Sequence, residues 1–538
     1  MPGGSSVRNP RPRRPRLTVH EGGGENDARP IVMIRAGRRS EAIDEAEKHL
    51  VEHDIDLFER NGVVRVAAED VDVGGGEKAS ALRIVRVGVE HMRERFTRAV
   101  CFQVADKRSR ELVVKDTPRD LAAAYLERDG LRQLPLLHAV ATAPTMRPDG
   151  SIIDKPGFDR ASGVYYDPRG LAFPAVPAAP TQALAHEALD RLLGLIGSFD
   201  FVDEASRAVA LSGLFTAVLR PALDVAPLHA FTAPVAGSGK TTLVDLASIL
   251  ASGHRAPVMA LGRRDEELGK ALKAALLGGD VIGCIDNCER PLGGDLLNQM
   301  CTQPLINVRL FQTLTNQRVV NRIALYATGN NLQLLGDLTR RSLVGRLDPQ
   351  CERPELREFD TEHPCAITMR ERPVLVVAIL SIVRAFVLAG CPRETAALGS
   401  YESWSRWVRD PLIWLGCADP ALTMEAARGS DPRLSALKTI LAQWSMQLGD
   451  ARVTAQQVIA AASASEPAMQ GFRCPEFRDA LLVAAGERGA VNSRRFGKWL
   501  AASAGRRVTV DIDGRPSARV LCRDGERSGV ALWRVTPC

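Results

Sequence analysis

Residues 234–242 read Pro-Val-Ala-Gly-Ser-Gly-Lys-Thr-Thr, a glycine-rich turn closing on a lysine and two hydroxyls. Those residue types suit a chain of phosphates. Small residues let the backbone curl until several N–H groups converge on phosphate oxygens. The Lys240 ammonium would reach the β- and γ-phosphates, and the Thr241 hydroxyl would complete the shell of a Mg²⁺ ion. The cradle is therefore expected from Ala236, Gly237, Ser238, Gly239, Lys240, Thr241 and Thr242. The spacing G-x-x-x-x-G-K-[ST] asks for glycine at 234, where this chain has Pro234.

The flanks supply the context that such a turn needs. Leu228–Ala233 is a short apolar run suited to a buried strand, and Thr242–Ala251 has the spacing of an amphipathic helix. Strand, turn and helix together predict binding of ATP or a close relative. Hydrolysis needs a carboxylate on a second strand. Gly279-Asp-Val-Ile-Gly-Cys-Ile-Asp286-Asn287 ends an apolar run in an acid, which places Asp286 at the carboxyl end of a central parallel strand as a Mg²⁺-shell ligand. Asn287 follows where many such enzymes carry a water-activating glutamate. An amide can orient a water but cannot take its proton, so Glu289 is a second candidate base. A third run, Arg322–Asn331, ends in Thr-Gly-Asn-Asn and brings Asn330 beside the γ-phosphate if it neighbours the Asp286 strand. Arg340, Arg341 and Arg346 follow closely. A guanidinium fork suits the charge spread over a phosphoryl group in transfer.

In this order, the segment ATGNNLQLLGDLTRRSLVGRLDP resembles the AAA+/superfamily-three ATPase core of phage- and plasmid-type replicative helicases and primase-helicases. Residues 147–168 and 403–420 resemble the segments that flank that core. The resemblance implies an α/β P-loop NTPase (AAA+-like) core, to which the residues on either side add an N-terminal α+β domain and a C-terminal winged-helix-like domain. It implies a DNA-stimulated ATPase that uses ATP and Mg²⁺ and translocates on single-stranded or forked DNA as a homo-oligomeric ring, a hexamer being one form of it and the number left open. Carried onto this chain, Lys240 and Thr241 hold phosphate and Mg²⁺, and Asp286 belongs to the metal shell. Asn330 is the sensor of the γ-phosphate, and Arg341 the leading candidate for the finger donated to a neighbour, ahead of Arg340 and Arg346; Asn287 departs from the pattern, and its amide chemistry alone makes it a water-positioning residue.

The rest of the chain gives the setting. At 538 residues it has room for three or four domains, with 45% hydrophobic and 25% charged residues. Its net charge of +6 is unevenly placed: residues 1–40 hold nine arginines against three acids, and residues 473–538 hold thirteen Lys/Arg against seven. Basic ends on an acidic middle suit a polyanionic partner. Eleven cysteines without a CxxC pair, no secretory leader, and no apolar run long enough to span a bilayer predict a reducing, cytoplasmic setting away from membranes.

Composition and turn signals divide the chain into a disordered basic tail (1–30), an N-terminal α+β accessory domain (31–140), and a connecting segment and linker (141–180). The P-loop core (181–350), a helical domain (351–470) and a winged-helix-like DNA-binding domain (471–538) follow. In the last, Phe477–Ala485 and Arg494–Ala502 read as helices. Two strands, Arg507–Asp511 and Ala531–Val535, flank a Gly/Arg/Asp-rich loop. Arg494, Arg495 and Lys498 are the expected phosphate contacts, with Phe496, Trp499 and Leu500 turned to the core. Asp70 and Asp72 form an isolated D-x-D without a histidine partner, so an accessory role for the N-terminal domain is expected over primase chemistry. An ATP-switched DNA-binding or remodelling factor without unwinding activity is the alternative reading, favoured by Asn287. A small-molecule kinase would not need the asparagine strand and arginine cluster in this order.

Overall fold

The computed structural model describes residues 29–53, 56–72, 78–106, 111–262, 265–309, 316–356, 362–393, 395–429, 431–466 and 471–538. The basic tail, apart from its last two residues, and the Gly74-Gly75-Gly76 loop lie outside them.

Two compact units emerge, and the N-terminal one is discontinuous: Met1–Ile55 with Gly88–Gln133, against Asp56–Val87 with Leu134–Cys538. The expected 31–140 domain is thus divided. Its first part pairs Ile31–Met33 in parallel with Cys101–Ala105, which pairs antiparallel with Leu112–Lys115. Helices Arg39–His53, Val89–Ala99 and Arg119–Leu126 belong to the same unit. Residues 57–86 form a three-stranded antiparallel sheet that belongs to the larger unit, where Arg60 donates to the Leu276 carbonyl at 3.0 Å.

The larger unit is built on a five-stranded parallel sheet. Two helices lead into it, α1 (Gln182–Leu195) and α2 (Glu204–Leu219), each started by a side-chain cap. Thr181 accepts from Leu184 N, and Asp203 accepts from Ser206 N. Then come β1 (Leu228–Ala233), α3 (Lys240–Ser252), β2 (Val258–Ala260), α4 (Asp265–Gly278), β3 (Ile282–Asp286) and α5 (Asp295–Thr302). An antiparallel hairpin, β4 (Leu305–Arg309) and β5 (Asn316–Val320), precedes β6 (Ala324–Asn330) and β7 (Ser342–Arg346). The strand order is β2-β3-β6-β1-β7, all parallel.

Both faces of this sheet are covered, which explains why its strands read as unbroken apolar runs. Along β6 the side chains alternate between two cores. Ala324 and Tyr326 join the cluster of Phe231, Leu343 and α2, while Leu325 and Ala327 join that of Ala230, Ile285 and α4. Helix α6 (Pro364–Leu388) extends ten residues N-terminal to the apolar run that marks it, and Val376, Ile379 and Val383 are fully buried in the first core.

Residues 351–470 do not form a helical domain of their own. Helix α6 and Trp404–Leu415 pack into the core of the P-loop sheet. Helices α7 (Pro432–Leu448) and α8 (Ala455–Ala462) instead share a core with the C-terminal elements, joining Leu437, Trp444 and Val458 to Phe477, Phe496 and Trp533. The C-terminal core thus reaches back to α7, where Leu437 joins it. It continues through α9 (Pro475–Ala485), α10 (Ser493–Ser503), β8 (Arg507–Ile512), β9 (Arg515–Arg527) and β10 (Val530–Pro537). The segment expected to be a loop between two strands is the central strand of three: β9 pairs antiparallel with both neighbours. Arginines at every fourth position, 515, 519, 523 and 527, hide its period, and only Leu521 is fully buried.

Candidate nucleotide site

Parallel register fixes what meets at the sheet's carboxyl edge. Ala233 is level with Asn330, Ala260 with Asp286, and Thr232 with Arg346. The loop at 234–239, the Asp286 carboxylate, Asn330 and Arg346 therefore share one edge, where ligands bind in open α/β sheets. Because β6 lies between β1 and β3, Asn330 stands between the loop strand and the carboxylate strand.

The loop's two left-handed positions are Gly237 (φ +73°) and Gly239 (φ +81°), and both are glycine. Position 234 is not left-handed, so Pro234 fits where glycine is usual. Crowding adds a second requirement. A Cβ on Gly239 would stand 2.7 Å from Phe199 Cε1, and one on Gly237 would stand 3.0 Å from the backbone N of Glu355.

Helix α3 starts at Lys240, so its unpaired N–H groups face the loop. The Lys240 ammonium donates to the Val235 carbonyl and to Ser238 Oγ, both at 2.9 Å, which folds it back over the cradle. Burial lowers its pKa, while Asp286 opposes the shift. Thr241 Oγ1 donates to Asp286 Oδ1 at 2.9 Å, and Thr328 Oγ1 on β6 donates to the same oxygen at 2.5 Å. Thr328 also accepts from the backbone N of Asn287 at 3.1 Å, so one β6 hydroxyl aims the carboxylate and fixes the chain that follows it. Sequence reasoning singled out Asp286 and Thr241 but missed Thr328; its signal was a hydroxyl inside an apolar strand.

These oxygens fit a hard cation. No group of three or more His, Cys, Asp or Glu able to hold a metal occurs among the described residues. A Mg²⁺ here would rest on Thr241 and Asp286 plus phosphate and water oxygens, the usual arrangement for this ion.

Asn287 (φ +51°) and Glu289 are both exposed beyond the end of β3, and the Asn287 amide donates to Glu289 Oε1 at 3.4 Å. Cys284 and Cys288 flank this strand end as buried thiols. Burial raises both, Cys288 to about 12, which removes them as nucleophiles.

The three arginines go to different places. Arg341 is turned inward, its side chain 16% exposed, paired with Asp337 and donating to the Asn298 carbonyl at 2.6 Å. Arg340, 63% exposed, pairs with the same Asp337. Arg346 is exposed at the end of β7.

Asp70 and Asp72 lie on strand Val63–Asp72, and their side chains fall outside the described residues.

In the C-terminal domain, Asn492 caps α10 by accepting from Arg494 N and Arg495 N at 3.0 Å. Phe496 and Leu500 are buried, and Trp499 stacks on Phe496 with centroids 5.7 Å apart. Of the expected phosphate-binding residues, Arg494 and Lys498 are exposed one turn apart, whereas Arg495 donates to the Gly486 carbonyl at 2.9 Å. Arg506, Arg507, Arg515 and Arg527 are also exposed and without an acidic partner among the described residues.

No family model and no curated protein matches the chain. Among solved structures it is similar to the A form apo structure of the NrS-1 C-terminal region, at 10% identity over 85% of this chain and 94% of that one, with a TM-score of 0.32. A second structure of that region gives 12% identity, 91% and 99% coverage, and a TM-score of 0.37. The JCV helicase gives 12% identity over 44% of this chain and 67% of that one, with a TM-score of 0.20. No helix among the described residues is long and apolar enough to cross a membrane.

Proposed function

We propose that the chain is an ATP-dependent DNA translocase or helicase that acts as a homo-oligomeric ring in replication of a phage or other mobile element. The observation that carries the ATPase part is the hydrogen bond from Thr241 to Asp286, which joins the phosphate loop to the carboxylate strand under a cavity of about 550 Å³. The loop backbone and the α3 N-terminus take the phosphates, and Lys240 swings from its loop partners onto the β- and γ-oxygens. Thr241 and Asp286 would hold a Mg²⁺, which would supply charge neutralisation there. Thr328 holds Asp286 in the aim that the metal shell needs, and Asn330 contacts the γ-phosphate from the adjacent strand. Asn287 orients the attacking water, and Glu289 beside it is the group able to accept its proton.

The DNA part is supported by the exposed cations of α10 and the β8–β10 sheet, whose charge suits a phosphate backbone. Steady-state ATP hydrolysis with and without single-stranded DNA tests the whole reading. DNA is expected to raise the rate, and a strand-displacement assay on forked DNA is expected to show unwinding. ATP binding with no turnover under any condition would replace the motor by an ATP-switched DNA-binding factor, the reading that Asn287 at the base position favours.

The DNA face has its own check. The double substitution Arg494→Ala/Lys498→Ala is expected to weaken binding evenly across DNA sequences. It should lower the slope of log affinity against log salt by roughly 1 for each phosphate no longer neutralised. A slope equal to that of the parent chain would move the interface off α10.

A further inference from the structure

The cavity has two sides. Residues 237–242 of the loop and α3 form one; the other comes from Ser198–Asp200 between α1 and α2 and from a stretch after β7. With the triphosphate on the loop side, the ribose and base fall to the second. That wall is apolar at Phe199, Pro349, Pro354 and Pro364 and polar at Ser198, Asp200 and His363. Prolines carry no N–H, so these three positions cannot read a base edge with a backbone donor.

His363 lines the same wall and its ring is oriented. The residue caps α6, with Nδ1 accepting from the backbone N of Cys365 at 3.2 Å. An accepting Nδ1 puts the ring proton on Nε2, so the imidazole offers one donor at the cavity.

We propose that His363 is a specificity-determining residue of this site, its Nε2–H donating to a ring-nitrogen acceptor that adenine and guanine share, so that the cavity selects purine nucleotides and chooses little between the two. The inference rests on the phosphate-loop reading given above. The wall favours a two-ring base because the larger base buries more apolar area. Adenine and guanine both present N7 as an acceptor and differ at the groups around C6 and C2. One donor aimed at a shared acceptor therefore does not separate them.

The test is calorimetric binding of ATP, GTP, CTP, UTP and inorganic triphosphate to the full chain and to His363→Asn and His363→Ser. Both replacements retain an oxygen able to cap α6 but lack the ring donor. In the parent chain, ATP and GTP are expected to bind alike, and CTP and UTP more weakly. Each variant should weaken ATP and GTP together by roughly 3- to 10-fold, the worth of one hydrogen bond. Inorganic triphosphate affinity and the melting temperature should stay unchanged. Equal binding of all four nucleotides, strong choice of ATP over GTP, or an equal loss for inorganic triphosphate would overturn the proposal and leave His363 a helix cap. Failure of inorganic triphosphate to bind the parent chain would instead overturn the phosphate-loop reading itself.

Discussion

Lys240→Ala is expected to cut nucleoside-triphosphate turnover by roughly 10²- to 10³-fold, the loss seen when one preorganised donor to a developing charge is removed. The lysine is held at the loop by two 2.9 Å hydrogen bonds, so it needs only to exchange those partners for phosphate oxygens. Burial already lowers its pKa and makes the unpaired charge costly, so the ammonium gains most when it meets phosphate oxygen. Arginine at this place is expected to fail as well, since its planar fork does not fit a turn closed by hydrogen bonds to Val235 and Ser238. The measurement is steady-state turnover with saturating single-stranded DNA, beside a thermal melt to show that the variant folds. Unchanged turnover with an unchanged melt would remove the loop from the chemistry.

The second large effect concerns the arginines after β6. A finger donated to a neighbouring subunit is worth roughly 10³- to 10⁵-fold in turnover where it has been measured, so its removal is easily read. The sequence resemblance points to Arg341, but that side chain is spent on its own subunit, bound to Asp337 and to the end of α5. Arg340, with 63% of its side chain exposed, can leave Asp337 and reach outward. Arg340→Ala is therefore expected to lower DNA-stimulated turnover by about 10³-fold with the melting temperature unchanged. Arg341→Ala is expected to lower the melting temperature as well, because it leaves the Asp337 carboxylate and the Asn298 carbonyl short of a partner. Mixing separates the two roles. Arg340→Ala and Lys240→Ala chains, each inactive alone, should regain turnover together, since each supplies what the other lacks at a shared site. Rescue by Arg341→Ala chains but not by Arg340→Ala chains would return the finger to Arg341.

Much of the nucleotide core was legible because its signals are local. Leu228–Ala233 coincides with β1, and the helix expected over Thr242–Ala251 runs as Lys240–Ser252. Asp286 and Asn330 close strands whose apolar runs reflect burial on both faces. What the sequence hid depends on packing between residues far apart along the chain. Residues 57–86 look continuous with their neighbours, and only packing such as Arg60 on Leu276 assigns them to the other unit. Helices α6 and α7 look alike as apolar amphipathic segments, and nothing local says that they serve different cores. Strand β9 takes its conformation from hydrogen bonds to two partners rather than from its own arginine-rich pattern. The wall opposite the phosphate loop was hidden in the same way. Phe199 and His363 stand 164 positions apart, and the sole local hint was the run of prolines at 349, 354 and 364.

The phosphate loop also has a mechanical side. Gly237 lies so close to Glu355 that a methyl group on the glycine would crowd the Glu355 backbone, and α6 begins at Pro364, nine residues beyond Glu355. That helix is a rod of about 37 Å for its 25 residues, packed along α1 and α3. At Gly237 the loop and the Glu355 backbone thus meet with little slack. A swelling of the loop at this glycine would be felt at Glu355, and a push on Glu355 would be felt in the fit of the loop.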